Sequence, residues 1–200
     1  MTEAAARPTL FLIAGPNGAG KTVFYETVLK GRVDAPFINA DEIQRDELRD
    51  KTMEAAYKAA EIASARRAQY LEARMSFITE TVFSHPSKLA MLKAAQEAGY
   101  RTVVFHLNVA SADLAVARVA ERVEEGGHPV PEEKIRARYY RNQKLIRAAA
   151  LMADFASIYD ASRLNHAPRL ILKLRSGRLE RQASDSSAWC EALYGDLGWP

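Results

Sequence analysis

The chain has 200 residues, of which 48% are hydrophobic and 26% are charged, and this composition is typical of one folded globular domain. The net charge of +3 fits anionic substrates such as nucleotides, but it is too small to indicate a nucleic-acid surface by itself. The single cysteine, Cys190, excludes an internal disulfide bond and a cysteine zinc site. Because the sequence shows neither a secretory signal nor an apolar run that could cross a bilayer, we expect a cytoplasmic protein without membrane contact.

Short apolar segments alternate with segments rich in helix formers along the whole chain. We predict strands at residues 9–14, 36–39, 76–79, 101–109, 157–159 and 169–174. We predict helices at about residues 21–30, 41–74 with a break near Asp50, 86–98, 111–125, 131–150 and 186–194. This alternation predicts an α/β fold with a parallel β-sheet flanked by helices, in one domain over residues 1–200. A strand, hairpin and helix at about residues 168–195 complete that domain.

The first predicted strand leads into a phosphate-binding motif. The segment matches G-x-x-x-x-G-K-[ST] and comprises Gly15, Pro16, Asn17, Gly18, Ala19, Gly20, Lys21 and Thr22. Its glycines let backbone N–H groups face a phosphate, Lys21 would reach the β- and γ-phosphates, and the Thr22 hydroxyl would coordinate Mg²⁺. The motif therefore predicts a P-loop NTPase fold that binds Mg²⁺ and a nucleotide, with ATP as the default.

Two acidic residues follow predicted strands, at the edge where open α/β sheets bind ligands. Asp41 follows the second strand and is the candidate general base for an acceptor hydroxyl, although it could serve only as the N-cap of the next helix. Glu80 follows the third strand. It could hold the acceptor, position Mg²⁺ through water, or be a solvated strand end.

Two missing motifs narrow the class of nucleotide-binding protein. The fourth predicted strand ends in Leu107-Asn-Val109 without the carboxylate that an ATPase motor normally carries there. The guanine-reading pattern N-K-x-D of GTPases does not occur either. These features favour a small-molecule kinase that transfers a phosphoryl group to an alcohol and whose lid supplies arginines.

A candidate lid spans about residues 118–147. The turn Gly126-Gly-His-Pro-Val-Pro131 separates its two helices, and His128 is predicted to be a turn residue. Helices that close over the phosphates from both sides could bring at least two arginines to the transferring group; the alternative is a solvated basic face. The arginines concerned are Arg118, Arg122, Arg136, Arg138 and Arg141.

Several motifs occur in order between about Leu10 and Asp160. They are GPNGAGKT, Asn39-Ala-Asp41-Glu42-Ile43, Glu80-Thr-Val-Phe-Ser84, Arg118-Val-Ala-Glu-Arg122-Val, Gly126-Gly-His-Pro-Val-Pro131 and Ile135-Arg-Ala-Arg138-Tyr139. The phosphate-binding motif alone is unspecific, whereas the ordered combination resembles the zeta toxin family of P-loop kinases.

The resemblance implies an ATP-dependent kinase that phosphorylates the sugar 3′-hydroxyl of UDP-N-acetylglucosamine, a nucleotide-sugar, and so interferes with peptidoglycan synthesis. In the family an aspartate after the second strand acts as base, which falls on Asp41, and a glutamate after the third strand contacts the sugar, which falls on Glu80. Lid arginines contact the phosphates, and these fall on Arg122 and Arg138. An antitoxin protein is the partner that the family implies.

The chain departs from the family pattern at two places. The toxin branch has a Gly-Thr-Gly-Arg-like stretch where this chain has Thr81-Val-Phe-Ser84, and relatives have Asp-Asn-Ser where it has Asp160-Ala-Ser162. The acceptor could therefore be another nucleotide-like molecule. Two further alternatives are a kinase of polynucleotide 5′ ends, although nucleic acid is not the expected partner, and a non-catalytic P-loop nucleotide switch.

Overall fold

A mixed seven-stranded sheet forms the centre of the computed structural model, which describes residues 7–127 and 129–198. His128, predicted as a turn residue, lies outside the described residues. The strands follow the order β2-β3-β1-β4-β5-β6-β7 across the sheet. Their bounds are β1 Thr9–Ala14, β2 Phe37–Ile38, β3 Phe77–Thr81, β4 Arg101–Asn108, β5 Phe155–Asp160, β6 Arg169–Arg175 and β7 Arg178–Gln182.

The first five strands are parallel, as the alternation of strands and helices predicts. The last two strands differ, because β6 pairs antiparallel with β5 and β7 pairs antiparallel with β6. No helix lies in residues 161–168, so the chain cannot cross back over the sheet and must turn beside β5. The predicted hairpin turn at residues 176–177 connects β6 to β7.

Helices cover both faces of the sheet, and within the described residues none is long and apolar enough to cross a membrane. The first two are short and continue as π-helical turns, α1 (Lys21–Phe24) into Tyr25–Leu29 and α2 (Ala40–Glu42) into Ile43–Leu48. The others are α3 Met53–Glu72, α4 Ser87–Glu97, α5 Ala112–Glu124, α6 Glu132–Met152 and α7 Ala188–Tyr194. The break expected near Asp50 occurs where Arg49 adopts a left-handed φ of 52°.

Two apolar clusters sandwich the sheet. The larger cluster packs α3, α4, α6 and α7 against one face and contains Leu12, Leu92 and Ile146, all fully buried. The smaller cluster packs α1 against the other face through Phe24 and Ile13. Helices on both sides explain why β1 is apolar along nearly its whole length instead of alternating.

A third apolar cluster belongs to the helical hairpin formed by α5 and the first half of α6. It is separate from the two clusters on the sheet and contains Val119 of α5 with Ile135 and Tyr139 of α6. The hairpin follows β4 and therefore stands over the edge at which the parallel strands end. Val119, Ile135 and Tyr139 of the candidate lid, residues 118–147, thus share this small core with residues 109–116 and Ala161.

Candidate active site

The loop between β1 and α1 forms a cradle of backbone amides. The N–H of Ala19 donates to the carbonyl of Pro16 at 3.3 Å and closes a turn. The N–H groups of Asn17, Gly18 and Gly20 donate to no backbone carbonyl within the described part of the chain. Amides left in this way are what a bound phosphate requires, because its oxygens accept hydrogen bonds and carry negative charge.

Close backbone contacts explain why two positions of this loop are glycine. A Cβ at Gly15 would lie 2.2 Å from the carbonyl oxygen of Leu107 in β4. A Cβ at Gly18, whose φ is +75°, would lie 2.7 Å from the carbonyl oxygen of Ala115 in α5. The loop is therefore pressed against both β4 and the first helix of the hairpin, and no side chain fits between them.

The two polar residues at the start of α1 donate hydrogen bonds to different parts of the site. The Lys21 side chain is 7% exposed, and its Nζ donates to the carbonyl of Pro16 at 3.0 Å. The Thr22 hydroxyl donates to Oε2 of Glu80 at 2.9 Å. This contact exists because β3 pairs with β1, which brings Glu80 beside Ile13 and next to the loop. The sequence could not reveal it, because strand order is not local information.

Asp41 lies in the first turn of α2 with an exposed side chain. The N-cap of this helix is Asn39, whose Oδ1 accepts the N–H of Asp41 at 2.8 Å. The alternative that Asp41 serves only as the N-cap is therefore wrong. The spacing of Asn39 and Glu42, three residues apart at a helix start, is a capping-box pattern that could have identified the cap.

The electrostatic influence of the predicted site residues on one another shows that they lie close together. Burial lowers the pKa of Lys21, and the nearby carboxylates of Glu80 and Asp41 oppose that shift. Arg122 and Arg138 lie near enough to lower the pKa of Lys21 further. All five side chains thus share one region at the ends of β1, β2 and β3, although they are spread over 118 positions of the sequence, from Lys21 to Arg138.

Burial and nearby charges also act in opposite directions on the pKa of Glu80. Burial raises its pKa, while Lys21, the hydrogen bond from Thr22 and the charge of Arg122 lower it, and Asp41 raises it further. Burial thus disfavours the charged forms of both Lys21 and Glu80. A bound group with both positive and negative charge, such as a metal–nucleotide complex, would relieve both penalties.

The oxygen ligands beside the loop suit Mg²⁺. The Thr22 hydroxyl and the Glu80 carboxylate are hard oxygen donors that already lie within hydrogen-bond distance of each other, 2.9 Å. Magnesium prefers such donors and usually completes its shell with water and substrate phosphates. These residues therefore fit the ion that the motif predicts, with Thr22 as ligand and Glu80 beside it.

The other arginines of the hairpin have different partners. Arg118 donates to the carbonyl oxygens of Ala161 at 2.6 Å and Ser162 at 3.1 Å, so its guanidinium is committed to backbone. Arg136 forms ion pairs with Asp113 and Glu132, both on the hairpin itself. Arg141 is exposed on α6. Of the five candidates, Arg122 and Arg138 are those that influence Lys21.

Two buried residues of α6 make contacts that the sequence analysis does not predict. The Tyr139 hydroxyl donates to the carbonyl of Val109 at 2.7 Å, just after β4. The Asn142 amide donates to the carbonyl of Val82, just after β3. The sequence carries one signal for Asn142, a polar residue on the apolar face of a helix, but its partner is a backbone atom that no side-chain motif identifies.

The sheet order, with the phosphate-binding loop after β1, the middle one of the five parallel strands, defines the P-loop kinase fold. The family model of Zeta toxin matches residues 1–167, and the chain therefore belongs to the zeta toxin family. No curated protein matches the sequence closely enough to be compared.

Solved structures agree on the fold. A chain of the AvrRxo1-ORF1:AvrRxo1-ORF2 crystal structure with sulphate ions has a TM-score of 0.64 at 15% identity, covering 96% of this chain and 64% of that one. The PezAT chromosomal toxin–antitoxin system of Streptococcus pneumoniae gives 0.63 at 15% identity, covering 96% and 79%. A putative kinase from Chloroflexus aurantiacus gives 0.53 at 19% identity, covering 66% and 79%. The chain thus spans under two thirds of the AvrRxo1 chain, and these identities speak for fold alone.

Proposed function

We propose that the protein is an ATP-dependent kinase that transfers the γ-phosphoryl group to a hydroxyl of a nucleotide-sugar such as UDP-N-acetylglucosamine. The observation that carries the proposal is the convergence of Lys21, Asp41, Glu80, Arg122 and Arg138 beside the phosphate-binding loop. Each residue type has a separate task in phosphoryl transfer. Membership of the zeta toxin family supports the choice of acceptor.

The donor side consists of the loop amides, Lys21 and the arginines. The amides hold the phosphates of ATP, and Lys21 contacts the β- and γ-phosphates from within the loop. Mg²⁺, held by Thr22, neutralises phosphate charge when it is bound. Arg122 and Arg138 face the transferring group from the hairpin and stabilise the negative charge on its equatorial oxygens.

The acceptor side consists of Asp41 and Glu80. Glu80 binds the sugar, and Asp41 accepts the proton of the attacking hydroxyl. The hydroxyl oxygen forms the new bond to the γ-phosphorus while the bond from that phosphorus to the β–γ bridging oxygen breaks. ADP leaves with the electron pair of the broken bond. The exposed position of Asp41 suits this task, because the acceptor must be able to reach it.

A protein partner is part of the proposal. Two of the similar structures are assemblies, the AvrRxo1-ORF1:AvrRxo1-ORF2 complex and the PezAT toxin–antitoxin system. By analogy, we expect an antitoxin that restrains this kinase in the cytoplasm.

The test is transfer of label from γ-³²P-ATP to UDP-N-acetylglucosamine by the purified protein, beside an acceptor-free control and a 5′-hydroxyl oligonucleotide. The Lys21→Ala variant should lose the activity. Lys30→Ala, a surface variant that loses only an ion pair with Glu26, should retain it. Label on the nucleotide-sugar that requires Lys21 supports the proposal. Label on the oligonucleotide alone would contradict the proposed acceptor. Binding of ATP without transfer to either molecule would contradict it as well.

A further inference from the structure

The first helix of the lid is fastened to the nucleotide side of the site. Arg118, near the middle of α5, donates to the carbonyl oxygens of Ala161 and Ser162, which follow β5, and contacts the carbonyl of Gly18 at 3.5 Å. Ala115, one turn earlier in α5, lies so close to the loop that Gly18 has no room for a Cβ. The start of α5 is therefore part of the P-loop wall.

The second helix of the lid is fastened to the acceptor side. Asn142 is 1% exposed and donates its amide N–H to the carbonyl of Val82, two residues after Glu80. Its Oδ1 is buried without a partner among the described residues. The unpaired oxygen makes burial of this amide costly, and the bond from its nitrogen to Val82 offsets part of that cost. Tyr139, one turn before, adds its bond to Val109.

A segment of 20 residues separates Arg118, which is bonded to Ala161 and Ser162, from Tyr139, which is bonded to Val109. Arg122 lies one turn after Arg118, and Arg138 immediately precedes Tyr139. Gly126, with a φ of +91°, lies near the middle of the segment. The two arginines that influence Lys21 thus stand at the two roots of the hairpin, where each is closest to a fixed point.

We propose that Arg118 and Asn142 are positioning residues that fix the two roots of the lid, Arg118 against the nucleotide-binding loop and Asn142 against the segment that follows Glu80. Each root then holds one arginine, Arg122 or Arg138, over the transferring phosphoryl group. This inference rests on the proposed kinase function for its consequence in turnover, but not for its structural content.

Hydrogen–deuterium exchange with and without the ATP analogue AMP-PNP tests the two roots without any acceptor. In the wild type, the analogue should slow exchange in residues 119–138. Arg118→Met should speed exchange about tenfold at Gly15, Ala19 and residues 112–118, and Asn142→Leu should do so at Phe83, because these amides are hydrogen-bonded and each variant loses a bond that ties their segment to the lid. The two variants should therefore loosen different segments.

Two control variants remove bonds of the same kind at the opposite edge of the sheet. Arg7 donates to the carbonyls of Gly99 and Tyr100, as Arg118 does to its two, so Arg7→Met is the control for Arg118→Met. Gln96 donates to the carbonyl of Met152 at 2.7 Å, so Gln96→Leu is the control for Asn142→Leu. Neither control should change exchange at Gly15, Ala19 or Phe83.

Binding and turnover separate a positioning role from a purely structural one. Arg118→Met should weaken AMP-PNP binding about tenfold, because the phosphate-binding loop loses the contact that holds it in place against α5, and Arg118→Lys should recover part of it. Asn142→Leu should leave the AMP-PNP Kd within about twofold and lower kcat about tenfold. The Kd and the exchange rates need no acceptor, so a kinase that failed to phosphorylate the nucleotide-sugar would leave them readable.

The proposal is overturned if folded Arg118→Met binds AMP-PNP with the wild-type Kd, or if folded Asn142→Leu exchanges the Phe83 amide at the wild-type rate. It is also overturned if both variants loosen both segments equally, since that pattern means a general loss of stability.

Discussion

The edge of the sheet that carries the candidate active site and the region beneath α7 handle buried polar groups in opposite ways. At the active-site edge, burial lowers the pKa of Lys21 and raises the pKa of Glu80, so it favours the neutral form of each. Opposite charges nearby act against both shifts. Beneath α7, burial lowers the pKa of His106 to about 3, and the neutral ring is hydrogen-bonded to the Tyr194 hydroxyl at 2.8 Å. Cys190, on the same helix, is buried and burial raises its pKa to about 12.

This difference indicates which of the two regions is suited to bind a ligand. The Nδ1 of the buried neutral His106 is hydrogen-bonded to the Tyr194 hydroxyl, which fixes α7 on β4, whereas its Nε2 is buried without a partner among the described residues. Buried charges that are held at a distance from their partners remain costly until a complementary ligand arrives. We therefore expect polar burial in the region beneath α7 to serve stability and polar burial at the active-site edge to serve binding.

Replacing Lys21 tests the comparison with the largest expected effect. Lys21→Met should lower kcat/KM for phosphoryl transfer by about a thousandfold or more, because a preorganised cation at the transferring phosphate is lost. The free energy of unfolding should fall by no more than about 1 kcal/mol, since the variant replaces a poorly solvated cation by an apolar side chain of similar length. Kinetics and urea unfolding measure the two effects. A large loss of stability would contradict the idea that this charge serves binding.

Replacing Asp41 should have the next largest effect. Asp41→Asn should lower kcat by about a hundredfold to a thousandfold, because the acceptor hydroxyl loses its base, while the Kd for AMP-PNP stays within about twofold. Glu42→Gln, one position further along α2, is the matched control and should retain kcat. Wild-type turnover in Asp41→Asn would show that another group accepts the proton.

The local features of the site were predictable from sequence, because strand, glycine-rich loop and helix adjoin along the chain. The phosphate-binding loop occurs where the motif predicts, and Asp41 and Glu80 lie at the ends of β2 and β3. The predicted roles of these residues remain predictions. The fold class is confirmed by the sheet order and by the family match.

Non-local features were not predictable. The bond between Thr22 and Glu80 depends on β3 being the neighbour of β1, and the chain order of strands does not contain that information. The direction of β6 depends on a short connection without a helix. The sequence groups Arg118 with the candidate phosphate-binding arginines. Its acceptors are backbone carbonyls, which every residue carries, so no sequence pattern separates it from the others.

Acid should destabilise the region beneath α7 through His106. The folded pKa of about 3 lies below the ordinary 6.5, so between these values the unfolded chain binds a proton that the folded chain does not. Stability from this group is therefore complete above pH 6.5 and is lost as the pH falls, at about 1.4 kcal/mol per pH unit. Urea unfolding of wild type and His106→Gln at pH 7.5, 6 and 5 measures the slope. Parallel curves for the two proteins would show that His106 is not the group responsible.

The smallest expected effect is the loss of the hydroxyl that partners His106. Tyr194→Phe keeps the ring that packs against His106 but leaves Nδ1 of the imidazole unpaired, so unfolding should become easier by about 1 kcal/mol. His106→Leu combined with Tyr194→Phe removes both polar partners, and its cost should be smaller than the sum of the two single costs. The kcat of Tyr194→Phe should equal that of the wild type, since the residue lies outside the active-site edge. Additive costs, or a lowered kcat, would mean that this hydrogen bond does not serve stability alone, and the contrast between the two regions would fail.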